Sequence, residues 1–121
     1  DIPPITPGLT ALWNGILDDK NHHIIVAEEN GMLVSSCVLV IVPNLTRGLR
    51  SYGLIENVVT AAAFRRQGLA SSCLSHARDL AVQAGCYKLM LMTGSKSEET
   101  LQFYEKAGYN RNDKTAFIQW L

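Results

Sequence analysis

The stretch from Asn57 to Leu74, NVVTAAAFRRQGLASSCL, constrains the fold more than any other part of the chain. It begins as the apolar end of a β-strand, crosses a short turn that holds two arginines and a glycine, and continues as an amphipathic helix. A strand that runs into a helix is usually followed by a second, parallel strand, reached by a right-handed crossover. The apolar run CYKLMLM stands where this strand is needed. The sequence therefore predicts parallel strands at 51–61 and 86–92, joined by a helix at 69–84.

The N-terminal third of the chain predicts a helix followed by a β-hairpin. Thr6 suits a helix N-cap, a proline follows it, and apolar residues then recur at helical spacing to about Lys20. The apolar runs 22–28 and 32–42 flank an Asn-Gly dipeptide, which readily adopts the positive φ of a hairpin turn.

The C-terminal third predicts one more helix and one more strand. Ser95 and Glu98 have capping-box spacing, and Gly108 follows the last apolar residue of a helical pattern. The segment 114–120, KTAFIQW, is predicted to be the closing strand. With no repeat or linker, residues 1–121 are predicted to form one mixed α/β domain, with a mostly antiparallel sheet, one parallel pair and helices on both faces.

Composition excludes several classes of protein. The 121 residues carry eleven basic and eleven acidic side chains, so no global field attracts the chain to nucleic acid or an anionic membrane. The apolar run 37–42 is too short to span a bilayer, and the N-terminus has no secretory pattern. Three cysteines without CxxC spacing and an alternating His22-His23 pair argue against a metal site. We expect a cytoplasmic protein with no metal, nucleic acid or membrane partner.

The turn between strand and helix suits a pyrophosphate. The first N–H groups of a helix lack intrahelical partners and the helix dipole is positive there, so an anion is stabilised. Gly68 allows close approach to the backbone, and Arg65 and Arg66 can donate charge-assisted hydrogen bonds to phosphate oxygens. The glycine pattern matches neither a P-loop nor a dinucleotide-binding fingerprint. The alternative is that Gly68 merely forms a tight turn and that both arginines are solvated.

Two motifs resemble those of one known family. RRQGLA at 65–70 resembles the Arg/Gln-x-x-Gly-x-Gly/Ala motif of the GNAT superfamily of acetyl-CoA-dependent N-acetyltransferases, and FYEKAGY at 103–109 is similar to its second motif. LIENVV and GCYKLML are similar to the glucosamine-6-phosphate N-acetyltransferase branch. The resemblance implies a GNAT fold in which the parallel strands splay around acetyl-CoA. It also implies direct acetyl transfer to the primary amine of a small molecule, without an acyl-enzyme.

The resemblance also implies which residues hold coenzyme A. The pantetheine arm would pair with strand backbone like an added strand, and the turn would hold the pyrophosphate. The residues expected to contact the pantetheine arm are Val58, Val59 and Thr60. Those expected to hold the pyrophosphate are Arg65, Arg66, Gln67, Gly68, Leu69, Ala70 and Ser71. Ser97 stands where many relatives have an asparagine that contacts the cofactor. The family usually has a further strand and helix before the hairpin, and the chain begins with Asp1, so we expect 1–21 to be a truncated or processed region.

Glu56 and Tyr104 are the predicted catalytic residues. Glu56 interrupts an apolar strand, where desolvation would raise its pKa and suit it to accept a proton from the amine, directly or through water. Its alternatives are an open strand face or an ion pair with an arginine. By resemblance, Tyr104 donates a proton to the departing thiolate, and its alternative is a core tyrosine.

The acceptor and the assembly state remain open in the sequence. Arg47 and Arg50 could receive an anionic group such as a sugar phosphate, or they could form a solvated basic loop. An amino acid, a polyamine, an amino sugar and a peptide amine are all compatible acceptors. A module of the same fold that binds acyl-CoA without catalysis is the alternative function. A homodimer is expected, because a short N-terminal region leaves sheet edges and apolar helix faces uncovered.

Overall fold

A computed structural model describes residues 2–121 as three α-helices and four β-strands. In chain order they are α1 (Pro7–Asp18), β1 (His22–Glu29), β2 (Met32–Val42), β3 (Tyr52–Thr60), α2 (Leu69–Gln83), β4 (Leu89–Leu91) and α3 (Glu98–Lys106). Single turns of 3₁₀-helix lie at Arg47–Leu49 and Ala62–Phe64. None of the described helices is long and apolar enough to cross a bilayer.

The four strands form one sheet in the order β1-β2-β3-β4. The first two contacts are antiparallel, and β3 pairs with β4 in parallel. A Cβ atom added to Gly53 would lie 2.5 Å from Leu89 Cδ2 and 3.0 Å from Leu39 Cδ1, so glycine allows these two side chains to pack over β3. The predicted mixed α/β fold and its parallel pair are confirmed.

The core lies between the sheet and α2. The buried residues of α2, Cys73, Leu74, Ala77 and Ala81, pack against Cys37, Leu39 and Ile55 of the sheet. From α3, Phe103, Tyr104 and Ala107 pack against the same core. Because side chains alternate along a strand, the remaining residues of β3 up to Glu56 point to the opposite face.

Three expectations for the C-terminal third need correction. Residues 114–120 form no strand, and Phe117 and Trp120 there are 90% and 86% exposed. A strand needs a partner that accepts its hydrogen bonds, and no described strand pairs with this segment. The strand predicted at 86–92 is regular only over Leu89–Leu91.

The capping box predicted for α3 is also wrong. Ser97 is the N-cap of α3, and its side chain makes no capping hydrogen bond. Ser95 Oγ instead accepts from the Ser97 N–H at 3.2 Å and lies 3.2 Å from Thr100 Oγ1. The Ser95 side chain therefore stabilises the turn before the helix instead of the first helical turn.

Candidate active site

The turn between β3 and α2 presents backbone N–H groups at the start of a helix. Gly68 is the N-cap of α2, with φ of 77°, and no side chain caps the helix. The carbonyl of Gly68 accepts from both the backbone N–H and the hydroxyl of Ser72, at 3.0 Å each. The first-turn N–H groups of Leu69, Ala70 and Ser71 have no intrahelical acceptor, which leaves them available to an anion.

Two residues of this turn adopt left-handed backbone conformations. Arg66 has φ of 64°, which is uncommon for a residue with a Cβ atom and costs about 1–2 kcal/mol. Gly68 adopts its positive φ without this penalty, and a Cβ atom placed on it would meet nothing within 4 Å. The space over Gly68 is therefore open, and its backbone conformation rather than a steric contact favours glycine.

Both arginines of the turn make contacts within the chain. Arg65 Nε donates to the carbonyl of Thr60 at 3.3 Å, which ties the turn to the end of β3. Arg66 Nη2 lies 3.6 Å from Glu99 Oε1, and both side chains are at least 80% exposed. An ion pair so exposed contributes little to stability, and Arg66 can exchange Glu99 for another anion at small cost.

A groove of about 530 Å³ runs from the end of β3 to the start of α2 and across to α3. Most of the residues predicted to hold coenzyme A line it: Val58, Thr60, Arg65, Arg66, Gly68, Leu69, Ala70 and Ser71. Val59, Gln67 and Ser97 are not among the lining residues. Phe64, Thr100 and Phe103 also line it and were not predicted. Phe103 stands inside the second motif, so its position next to Tyr104 was a signal that could have identified it.

The two parallel strands stop pairing with each other near the groove. They pair only from Gly53 to Ile55 and from Leu89 to Leu91, whereas β3 continues to Thr60. A bulge marks the same region, because two residues of β3 oppose one residue of β2 and Asn57 has φ of 53°. A bulge bends its strand and redirects the side chains that follow. The edge of β3 beyond Ile55 is thus free of β4 and open to an added extended chain.

Glu56 lies just before the bulge and is exposed. Its Cα partner on β2 is Val38, on the face of the sheet away from α2. The expectation that Glu56 is desolvated within an apolar strand is therefore wrong, because alternation along β3 directs its side chain into solvent. An exposed carboxylate can attract an ammonium group and exchange protons with water without burial.

Tyr104 lies on the opposite side of the sheet from Glu56. It is half-buried against the core, with its ring centroid 5.1 Å from that of Phe103 and 6.4 Å from that of Tyr109. Burial, with a smaller contribution from the Cys37 thiol, raises the pKa of Tyr104 above its usual value of 10.0. The phenol is therefore protonated throughout the neutral range and available as a donor.

The cysteines are not poised for covalent catalysis. Burial raises the pKa of Cys37 to about 11, and it also raises the pKa of Cys86. Since the thiolate is the nucleophile, a raised pKa makes these two side chains poorer nucleophiles than a free cysteine. A second cavity, lined in part by His22, His23 and His76, carries no group of three side chains among residues 2–121 that could hold a metal ion.

Arg50 and Arg47 have defined contacts at the other end of β3. Arg50 Nε donates to the carbonyl of Gly85 at 3.1 Å, and its Nη2 donates to that of Cys86 at 3.0 Å. Arg50 thus caps the carbonyl groups that follow α2, and it is less available to a ligand than the sequence suggests. The guanidinium of Arg47 lies 5.5 Å from the ring centroid of Tyr87.

Comparisons with known proteins agree with this geometry. Residues 3–109 match the model of the acetyltransferase (GNAT) family. The chain is 36% identical over 87 residues to a glucosamine 6-phosphate N-acetyltransferase of Trypanosoma brucei brucei, covering 72% of this chain and 57% of that protein. It is 33% identical over 94 residues to a probable glucosamine 6-phosphate N-acetyltransferase of Oryza sativa subsp. japonica, covering 74% and 54%.

A solved structure from Agrobacterium tumefaciens str. C58 superimposes with a TM-score of 0.90 at 39% identity, covering 99% of this chain and 83% of that one. The chain therefore spans more than half, but less than two thirds, of the length of the two named relatives, and nearly all of it superimposes on the solved structure. The family match covers both motifs and all the elements from α1 to α3. The chain belongs to the GNAT family of acetyltransferases.

Proposed function

We propose that this chain transfers the acetyl group of acetyl-CoA to the primary amine of a small molecule, by direct attack within a ternary complex. The observation that carries the proposal is the groove between the end of β3 and the start of α2, which gathers the glycine turn, two arginines and the free edge of β3. Glu56 and Tyr104 lie on opposite faces of the sheet, and neither lines the groove, but each stands within two residues of one that does, Val58 and Phe103 respectively. An amine can therefore approach from one face while the thiol departs toward the other.

The donor atoms of the turn fit the pyrophosphate of coenzyme A. Three unpartnered N–H groups at Leu69, Ala70 and Ser71 and the positive end of α2 suit a doubly charged anion. Arg66, whose present partner is an exposed carboxylate, adds a mobile cation. The free edge of β3 at Val58 and Thr60 can accept an extended pantetheine arm. When bound, acetyl-CoA supplies a thioester as the acyl donor.

The residues of the chain would handle two protons. An alkylammonium with a pKa of about 10.4 is neutral in only about one molecule in a thousand at pH 7, so a base is required. Glu56 accepts this proton, directly or through a water molecule. Tyr104 donates its phenolic proton to the sulfur as the C–S bond breaks and the new C–N bond forms. As the amide forms, its nitrogen loses a second proton, which restores the phenol of Tyr104 directly or through water, and Glu56 releases its proton to solvent.

Release of free thiol from acetyl-CoA in the presence of a panel of amines tests this function. The panel would contain glucosamine 6-phosphate, which the names of two relatives suggest, with amino acids, polyamines and a lysine peptide. Amine-dependent thiol release and the acetylated product by mass spectrometry are expected. Measurable coenzyme A binding without thiol release from any amine would instead support a binding module without catalysis.

Glu56→Gln is expected to lower kcat/KM for the amine about tenfold. The substitution keeps the size of the side chain and removes its negative charge, so it weakens attraction of the ammonium group and proton acceptance together. Water can replace part of this role because Glu56 is exposed. Steady-state kinetics with the amine varied would measure the change. Glu29→Gln, which neutralises an exposed carboxylate at the end of β1, is the control, and equal losses in both variants would contradict a role for Glu56.

We also propose that the chain forms a homodimer. Helix α1 buries no residue, and Leu12, Trp13 and Leu17 on it are between 48% and 63% exposed. Phe117 and Trp120 are exposed at the other end of the chain. Apolar surface of this kind is stabilised when a second copy covers it. Light scattering at micromolar concentration is expected to give twice the chain mass, and a monomer mass would contradict the proposal.

A further inference from the structure

Ser35 on β2 is the one buried residue with a polar side chain among residues 2–121, with 5% of its surface exposed. It shares the α2 face of β2 with Cys37 and Leu39, because side chains alternate along a strand. Its partner across the sheet is Thr60, which lines the groove at the end of β3. A buried hydroxyl group costs free energy unless it is hydrogen-bonded. The hydrogen bonds of Ser35 are therefore a necessary part of this end of the groove.

Two contacts fix the direction of the protons in the Ser35 and Thr60 hydroxyl groups. Ser35 Oγ lies 3.0 Å from the carbonyl oxygen of Val59 and 2.8 Å from Thr60 Oγ1. A carbonyl oxygen only accepts, so Ser35 donates its single proton to Val59. The contact with Thr60 is then a hydrogen bond only if Thr60 donates and Ser35 accepts. The Thr60 proton therefore points toward β2, and its oxygen keeps two lone pairs.

The Thr60 hydroxyl differs from the backbone acceptors beside it. The carbonyl of Val59 accepts from Ser35, and the carbonyl of Thr60 accepts from Arg65 Nε at 3.3 Å. Among residues 2–121, Ser35 is the one hydrogen-bond partner of Thr60 Oγ1, and it accepts from that atom. The backbone N–H of Ala61 donates to the carbonyl of Val34 at 2.8 Å, which holds this end of β3 against β2. Thr60 Oγ1 is thus an acceptor without a donor, fixed in direction at the wall of the groove.

An acceptor of this kind is complementary to an N–H group of a ligand. The pantetheine arm of coenzyme A contains secondary amides, and an amide N–H that leaves water without finding an acceptor costs binding free energy. We infer that Thr60 Oγ1 accepts a hydrogen bond from an amide N–H of this arm, and that Ser35 is the positioning residue that makes the Thr60 hydroxyl an acceptor. This inference rests on the proposed function, because it takes the arm to lie along the free edge of β3.

Thr60→Val tests the acceptor, because valine keeps the branched shape and replaces the hydroxyl with a methyl group. Titration calorimetry would give the dissociation constants of coenzyme A and of adenosine 3′,5′-bisphosphate, which lacks the arm. The ratio of the two constants measures what the arm contributes to binding. Thr60→Val is expected to reduce this ratio about fivefold to tenfold, and Thr60→Ser, which keeps the hydroxyl, is expected to retain it. An unchanged ratio in Thr60→Val would overturn the inference.

Ser35→Ala tests the positioning role. Without Ser35 the Thr60 hydroxyl can rotate and direct its proton into the groove, so the contribution of the arm is expected to fall about threefold. In the Thr60→Val background there is no hydroxyl to orient, and Ser35→Ala is expected to cause no further loss. A purely structural role of the bond from Ser35 to Val59 would persist in both backgrounds, so equal losses in the two would overturn the positioning role.

Ser36→Ala is the matched control for Ser35→Ala. Ser36 is the next residue of β2, its side chain lies on the opposite face of the sheet, and the variant is expected to keep the ratio. Thermal unfolding of every variant would establish that it is folded at the temperature of the titration. Equal losses in Ser35→Ala and Ser36→Ala would also contradict the positioning role.

These titrations need no turnover, so they separate the inference from the proposed function. Absence of thiol release with every amine would contradict the proposed function, whereas a ratio lowered by Thr60→Val and kept by Thr60→Ser would still support the hydrogen bond. A ratio that Thr60→Val leaves unchanged would overturn the inference alone. Coenzyme A that binds the wild-type protein no more tightly than the bisphosphate does would contradict both.

Discussion

Gly68→Asp is expected to weaken binding of coenzyme A at least 100-fold relative to Gly68→Asn. Both side chains have the same shape, both tolerate the left-handed φ of 77° better than other residues, and both enter open space. They differ in one negative charge, placed where the pyrophosphate is proposed to bind. Two unit charges 4 Å apart interact by about 4 kcal/mol at an effective dielectric constant of 20, which exceeds the roughly 2.7 kcal/mol that a 100-fold change requires.

Isothermal titration with coenzyme A would measure both dissociation constants directly. Circular dichroism and thermal unfolding of the two variants provide the control for folding, because strain at Gly68 affects both alike. The salt dependence of the difference gives a second check, since a charge effect at an open groove weakens as ionic strength rises. Equal dissociation constants for the Asp and Asn variants would place the pyrophosphate elsewhere.

The features that sequence predicted well are those set by neighbouring residues. The turn that holds Gly68 depends on a glycine that can adopt a positive φ and on a helix that starts directly after it. A few adjacent residues specify both features. The parallel pairing of β3 with β4 follows in the same way, because a strand, a helix and a second apolar strand leave one favoured connection. For this reason the fold and most of the groove lining were predictable.

The features that the sequence predicted poorly depend on residues that are distant in the sequence but close in the fold. Glu56 stands in an apolar run, but its exposure depends on the face of the sheet to which it points and on what covers that face. Arg50 finds its acceptors 35 and 36 residues away. Residues 114–120 have the composition of a strand, yet they pair with neither edge strand, β1 or β4, because apolar composition alone does not place a segment beside an edge. Thr100 enters the groove because α3 packs beside the turn, and Phe64 enters it from the 3₁₀ turn at Ala62–Phe64.

Glu56 and Tyr104 lie on opposite faces of the sheet. In the proposed mechanism the amine is therefore deprotonated on one face and the thiolate is protonated on the other. The amine and the thiol are separate groups on the reacting carbon, so a base on one face and an acid on the other can each contact its own group. The gap that opens where β3 leaves β4, beyond Ile55 and Leu91, connects the two faces. The bulge at Asn57 widens the same region and redirects Val58 into the groove. The irregular part of β3 is therefore the part beside which acetyl transfer is proposed to occur.

Tyr104→Phe is expected to lower kcat about 100-fold with little change in the dissociation constant of acetyl-CoA. The substitution keeps the ring that packs against Phe103 and the core, and it removes only the hydroxyl group that would protonate the sulfur. Loss of a donor that acts as the C–S bond breaks lowers kcat and leaves ground-state binding intact. Single-turnover measurements of thiol release would report the chemical step even if product release limits steady-state turnover.

The pH dependence of kcat gives a second, independent reading of the same phenol. A proton donor must be protonated, and burial raises the pKa of Tyr104 above 10.0, so kcat of the wild-type protein is expected to hold through neutral pH and to fall only above about pH 10. Tyr104→Phe should lack this alkaline limb. Tyr109→Phe is the matched control, because burial raises the pKa of Tyr109 to about 12 and its ring packs edge to face on that of Tyr104. If Tyr109→Phe loses turnover and Tyr104→Phe retains it, Tyr109 or a water molecule that it orients is the donor, and Tyr104 is a core residue.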